Sequence, residues 1–150
     1  MMMNADATIY HQVPGGVELL QWFGQVPSFH DAEVLSLELR RKEPSVLRLH
    51  GWINTVRHDG SHVLDRQAVV SFILGEVMDL QLDGFSHQNV IYSLTLRRAI
   101  DRAERRGSLS VNPLPDDVEI EIEPCYGLGG FIRARAVTIA FVPGTPESRV

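Results

Sequence analysis

Alternation dominates the chain. In residues 34–40 the leucines at 35, 37 and 39 share one side and Ser36, Glu38 and Arg40 the other, a period of two that predicts a strand. After a turn at Glu43-Pro44-Ser45, residues 46–53 repeat the pattern with Leu47, Leu49 and Ile53 inward. The two runs make a hairpin in which Gly51 marks a bulge or a close backbone approach. Residues 68–74 are apolar on both sides, as in a strand covered on both faces, and Gly75 ends them. Met78, Leu80 and Leu82 then alternate with Asp79, Gln81 and Asp83 in a half-exposed strand stopping at Gly84. In the next run, opened by His87-Gln88-Asn89, Val90, Tyr92, Leu94 and Leu96 share a face. Residues 118–123 alternate strictly, with Val118, Ile120 and Ile122 inward and three carboxylates outward. Beyond a glycine-rich turn, Ile132, Ala134 and Ala136 hold the apolar phase until Val137, Ile139 and Phe141 take it over, a shift that predicts a bulge near Ala136. Pairing of these last two runs sets Arg133 and Arg135 on the face of Glu119 and Glu121, which supports the register by roughly 0.2–1 kcal/mol per pair.

Only one stretch carries helical spacing. Val17, Leu20 and Phe23 fall at i, i+3 and i+6, and Gly24 is placed to stop the helix, with Trp22 and Phe23 closing one end of the core. Seven strand-like runs and one short N-terminal helix predict an α+β domain that is mainly β, built as an antiparallel curved sheet or a small sandwich. Residues 1–14 read as a loose arm, 97–117 as a charged excursion and 143–150 as a frayed tail, and nothing divides the rest into two domains.

Composition narrows the function classes. The 150 residues suit one domain, and 44% hydrophobic with 22% charged residues is the balance of an ordinary globular chain. A net charge of −5 argues against a dedicated nucleic-acid binder, and no apolar run approaches the roughly 20 residues of a membrane span. Neither nucleic acid nor membrane is therefore expected as a partner, while self-association stays open. The single Cys125 forms no internal disulfide and fits a reducing compartment, so cytoplasm is the expected location.

Candidate chemistry is sparse. Six histidines invite a metal, yet His58 and His62 flank an Asp-Gly turn instead of sharing a helical face, and only His30, Asp31 and His87 make a conceivable set, where two strand entries meet. Cys125 lacks the neighbours that would activate a nucleophile. Gly127-Leu128-Gly129-Gly130 leads into a strand, not into a helix whose N-terminus holds phosphate. No cofactor is implied. The segment Glu123 to Gly130 reads as a hairpin connection, with Tyr126 and Leu128 folding back onto the core, and the arginines of 97–117 as a solvated loop or a site for an acidic partner.

Several motifs taken together resemble one family. Trp22, residues 27–37 (Pro-Ser-Phe-His-Asp-Ala-Glu-Val-Leu-Ser-Leu), Leu47-Arg48-Leu49-His50, residues 79–85, His87-Gln88-Asn89-Val90-Ile91 and residues 123–130 (Glu-Pro-Cys-Tyr-Gly-Leu-Gly-Gly) resemble the immunity protein 50 family of bacterial polymorphic toxin systems over about residues 20 to 142. The motif positions are Phe29, His30, Asp31, Glu33, His87, Asn89, Glu123, Pro124, Cys125, Tyr126, Gly127 and Gly129. The 97–117 excursion is longer than that pattern. What the resemblance implies is a non-catalytic, mostly β, cytoplasmic protein that binds and blocks a cognate toxin domain through acidic and aromatic anchors. Expected exposure then nominates Trp52, His58, Asp59 and His62 at the first hairpin tip, and Glu119, Glu121 and Tyr126 near the last hairpin, as toxin contacts. Two alternatives remain beside it: a β-rich binding or scaffold module for another ligand, and a metal- or cysteine-dependent enzyme using His30, Asp31, His87 or Cys125.

Overall fold

The computed structural model describes residues 8–107 and 111–147. Six antiparallel strands, β1 (Glu33–Glu38), β2 (Ser45–Val56), β3 (His62–Asp83), β4 (Val90–Arg98), β5 (Val118–Tyr126) and β6 (Gly129–Pro143), close into a barrel in the order β1-β2-β3-β6-β5-β4. One helix, α1 (Gly16–Phe23), and a 3-10 turn at Tyr10–Gln12 precede them. The mainly β expectation holds, with six strands instead of seven and one closed sheet in place of an open sheet or sandwich.

The count differs because Gly75 does not end a strand. Residues 68–74 and 78–83 are one continuous β3, paired with β6 from Ala68↔Pro143 to Asp83↔Gly129. Glu76 takes φ 56°, and an extra residue at Met78 forms a bulge, so the strand changes phase without leaving its partner. The expected phase change in β6 is present: Ala134 and Val137 are buried and Ala136 between them is exposed. Gly51 fulfils both of its expected roles. The register shifts beside it, and a Cβ there would lie 2.8 Å from the ring of Phe29.

Two of the expected shared faces are broken for the same reason. A bulge between Val34 and Ser36 leaves Leu35 and Leu37 only half-buried, and Leu39 lies beyond β1, exposed. A second bulge between Ile91 and Ser93 turns Ile91, Leu94 and Leu96 inward and Tyr92 outward.

The N-terminal segment is a plug, not a loose arm. Ile9 and Tyr10 are buried in the core, Ile9 N–H donates to the Leu96 carbonyl, and Ile139 N–H donates to that of Pro14. Burial in this apolar setting pushes the Tyr10 phenol well above its ordinary value. Residues 1–7 of the expected arm and 148–150 of the expected tail lie outside the described residues. Gly16 abuts the Tyr10 carbonyl so closely that a Cβ would overlap it, which turns Gly16, Leu19 and Phe23 toward the barrel and leaves Val17 exposed. Gly24 stops the helix as expected, with φ 76° and its N–H on the Leu20 carbonyl.

The glycine-rich connection is held by one side chain. Buried Asn89 accepts from the backbone N–H groups of Ser86 and Leu128 at 3.0 Å each and donates to the Ser86 carbonyl, tying the β3–β4 loop to the β5–β6 turn. Gly127, at φ 89°, lies so close that a Cβ would meet Asn89 Oδ1 at 2.5 Å. Leu128 folds onto the core as expected, whereas Tyr126 stays exposed. Asn89→Ala removes the acceptor of a buried N–H, and we expect a loss of about 2–4 kcal/mol in urea denaturation, with exposed Gln88→Ala close to wild type.

Candidate functional site

Backbone hydrogen bonds at the β1–β4 seam build the most distinctive surface. Ser28, Ala32 and Asn89 supply carbonyls to Leu94, Ile91 and Val34, and Asp31 N–H donates to Ile91. Between these contacts the chain reverses in a tight turn, with Ala32 N–H on the Phe29 carbonyl and with Phe29 at φ 61° and Asp31 at φ 68°. Left-handed backbone at two non-glycine residues costs on the order of 1–3 kcal/mol each and marks segments whose surroundings over-determine them. Here the compensation is visible: Phe29 is buried, edge-on to Phe23 and Phe72 at 5.8 and 6.0 Å between ring centroids. With Phe29 drawn inward, His30 and Asp31 are presented outward.

Their neighbours come from β4 and β5. His30 meets the Tyr92 ring edge-on at 5.3 Å, and its Nδ1 lies 3.1 Å from the Tyr92 carbonyl oxygen. Glu33 stands opposite Val90, and Val90 opposite Tyr126, so the three form a row across β1, β4 and β5 on the outer face. Ser93 donates to Glu123 in the next row. Phe85 follows Gly84, whose α-carbon packs against the Gly127 backbone beside Tyr126. Phe85, in the β3–β4 loop, and Tyr92 and Tyr126, on the paired strands β4 and β5, are 76%, 55% and 53% exposed, three large rings left in solvent on neighbouring segments.

This gathers His30, Asp31, Glu33, Glu123 and Tyr126 of the motif positions on or beside one face, and uses Phe29, Asn89, Gly127 and Gly129 to shape it. Gly129 accommodates Pro124, whose ring would lie 2.6 Å from a Cβ. His87 pairs locally with the Ser86 hydroxyl, and Cys125 is exposed at the surface instead of lying in a cleft. Among the described residues no three histidine, cysteine or carboxylate groups are placed to hold a metal, so the His30, Asp31 and His87 set does not assemble.

The other nominated contacts fare unevenly. His58, Asp59 and His62 are exposed at the β2–β3 tip, where Asp59 accepts from the Ser61 N–H and hydroxyl, bonds that hold its carboxyl below the usual range. Trp52 is half-buried beside His50 at a bulge and is not a free anchor. The tip and Tyr126 cannot form one patch: β3 carries the tip pair Val56↔His62 at one end and Asp83↔Gly129 at the other. Glu119 is a correction of a different kind. It is 1% exposed, bound by Arg97 at 2.8 Å and by Arg102 at 2.6 Å, while Glu121 is half-exposed and also bound by Arg97.

Nor is the excursion a solvated basic loop. Arg102 and Arg105 turn inward, Arg102 lying over the Phe131 ring at 4.0 Å and Arg105 gripping Asp79 in a two-pronged pair, while Arg106 stays exposed with Asp101. Asp117 receives Arg133 and Arg135, so the arginines expected to face Glu119 and Glu121 are satisfied elsewhere. Residues 108–110 of the excursion lie outside the described residues. The crevice lined by Asp79, Arg102, Arg105, Glu119 and Arg133 measures about 20 Å³, room for about one water, and a wider hollow of about 650 Å³ opens beside it between Ala99, Arg106, Asn112 and Pro115.

These pairs set an acid limit. Hydrogen bonding from Arg105 holds the Asp79 carboxyl below its ordinary value; for Asp117 burial pushes the other way, but bonds from Leu114 N–H, Arg135 and Arg133 prevail. A depressed folded-state pKa contributes stability that is complete above the unfolded value near 4 and is lost as pH falls through the folded one. We therefore expect urea midpoints to hold from pH 7 to about 5 and to fall below about pH 4, with a shallower fall in Asp79→Asn. Glu119→Ala, which removes the buried carboxylate that Arg97 and Arg102 share and leaves Arg97 with Glu121 alone, is expected to cost about 3–5 kcal/mol in the same assay at pH 7.

Comparison with family models, curated proteins and solved structures gives no match.

Proposed function

We propose that the protein is a non-catalytic immunity protein that binds a cognate bacterial toxin domain through the Tyr92–Tyr126 face and thereby blocks it. The observation that carries this reading is the exposure of Tyr92 and Tyr126 on the paired strands β4 and β5, with His30 set against the Tyr92 ring by a strained turn. Tyrosine suits an interface anchor because it offers large area with two torsions to freeze, and such residues dominate binding energy when they sit centrally. The sequence resemblance to the immunity protein 50 family supplies the class of partner.

The area available is adequate. A standard interface takes roughly 800 Å² from each partner, under a tenth of the 9115 Å² surface of this chain. Strands move little on binding, so the free face is a fair image of the bound one.

Expression of the chain is expected to restore growth of cells producing the toxin encoded by the neighbouring gene, and calorimetry to give a tight one-to-one complex. Tyr92→Ala and Tyr126→Ala should each weaken the complex by about 10- to 100-fold with the melting temperature unchanged, whereas His58→Ala at the tip should bind as wild type. Unchanged toxicity rules out immunity for that pair; loss of binding on tip substitution alone moves the site to the ribbon.

A further inference from the structure

The chemistry around the aromatic face goes further and says what kind of surface it fits. The three segments that build it, residues 30–36, 83–93 and 121–128, contain five carboxylates and neither lysine nor arginine. One of the five, Glu121, is neutralised by Arg97. The other four, Asp31, Glu33, Asp83 and Glu123, have no arginine or lysine within ion-pair distance among the described residues. Asp31 has only the His30 imidazole, 3.6 Å away, and Glu123 only the Ser93 hydroxyl. Across the sheet beyond β1, the first basic strand position is Arg48 of β2, opposite Ser36.

The contrast with the rest of the molecule is informative. Where carboxylates gather on the β3–β5–β6 wall, at Asp79, Asp117, Glu119 and Glu121, the chain supplies its own arginines. Around Tyr92 and Tyr126 none is ion-paired to Asp31, Glu33, Asp83 or Glu123 among the described residues, although Arg102 lines a hollow with Asp83 and Pro124, and the exposed rings are left with an acidic rim.

Resting on the binding role proposed above, we propose that this face docks a protein surface with an apolar centre ringed by lysine or arginine. The aromatic rings supply desolvated area, and the rim carboxylates select the partner by charge and speed its approach. A membrane surface, a nucleic acid or a second copy of this chain lacks one half of that match. The first two present dense negative charge to four carboxylates, and a second copy of the face would oppose like charges.

The test uses the isotope-labelled full chain and two 16-residue synthetic peptides of equal length, each with a central Trp-Leu pair, one flanked by lysines and the other by glutamates. The lysine peptide is expected to bind saturably and to shift the amides of residues 30–34, 89–93 and 123–127. It should weaken at least tenfold between 50 and 300 mM NaCl, and again at least tenfold in Glu33→Gln/Glu123→Gln, while Asp59→Asn/Asp65→Asn at the ribbon, with the same charge change, binds as wild type. The glutamate peptide is expected to give no shift. Equal binding of both peptides, no salt dependence, or shifts confined to residues 54–62 would overturn the proposal. So would concentration-dependent broadening of the face amides without peptide, which identifies a second copy, or their broadening by anionic vesicles. Peptide binding at the face together with failure to neutralise the neighbouring toxin would leave the surface chemistry standing and remove the immunity role.

Discussion

Four backbone hydrogen bonds, three between residues 28–32 and β4 and one from Val34 to Asn89 just before it, turn an open sheet into a barrel. Everything else leans on that seam. Only Glu33↔Val90 counts as a ladder pair between β1 and β4, so closure depends on the irregular turn at Phe29–Asp31 as much as on strand pairing. The turn is unfavourable by itself, with two side-chain-bearing residues in left-handed backbone, and it persists because the Phe29 ring completes the core between Phe23 and Phe72. Core formation and surface presentation are thus one event: burying Phe29 is what sets His30 and Asp31 beside Tyr92.

The two ends of the barrel are finished by different physics. At one end Asn89 satisfies two backbone donors that glycine-rich geometry brings within reach, a neutral and local device. On the β3–β5–β6 wall the chain instead uses paired charges. Buried ion pairs are poor sources of net stability, since desolvation offsets much of their attraction. Their value here is positional: Arg102 on Glu119 and Arg105 on Asp79 hold the segment 99–107 to the wall although it contains only a single short 3-10 turn.

What was legible in the sequence follows from how locally each feature is encoded. Alternation located the strands, Gly24 and Gly84 marked real ends, and Gly51 announced a close approach, because each depends on a few neighbouring residues. Bulges are not encoded that way. Tyr92 was set on one face with Leu94 and Leu96 by the period-two pattern, and one extra residue in the register separates it from them. The same blindness split β3 at Gly75 and grouped exposed Leu39 with Leu35 and Leu37. Partner choice among charges was equally hidden: the β5–β6 pairing puts Glu119 opposite Arg133 as expected, yet Glu119 is bound by Arg97 and Arg102, the latter from a segment distant in sequence. Phe85 did leave a signal, a large ring between Gly84 and Ser86 in a turn, where no core position is available.

The motif residues acquire two separate meanings once placed. Phe29, Asn89, Gly127 and Gly129 are constrained by sub-ångström tolerances of backbone approach, and their pattern would recur in any chain that closes this barrel the same way. Glu33, Glu123 and Tyr126 meet no such demand, because an outward position on a strand accepts most residue types, whereas His30 and Asp31 belong to the turn and Asp31 carries its left-handed backbone. Exposed rings gain from being covered, while hydrated carboxylates lose by it unless a cation meets them, so the two kinds of side chain together set what a partner must offer. Those positions, not the β2–β3 tip, carry the proposed binding face.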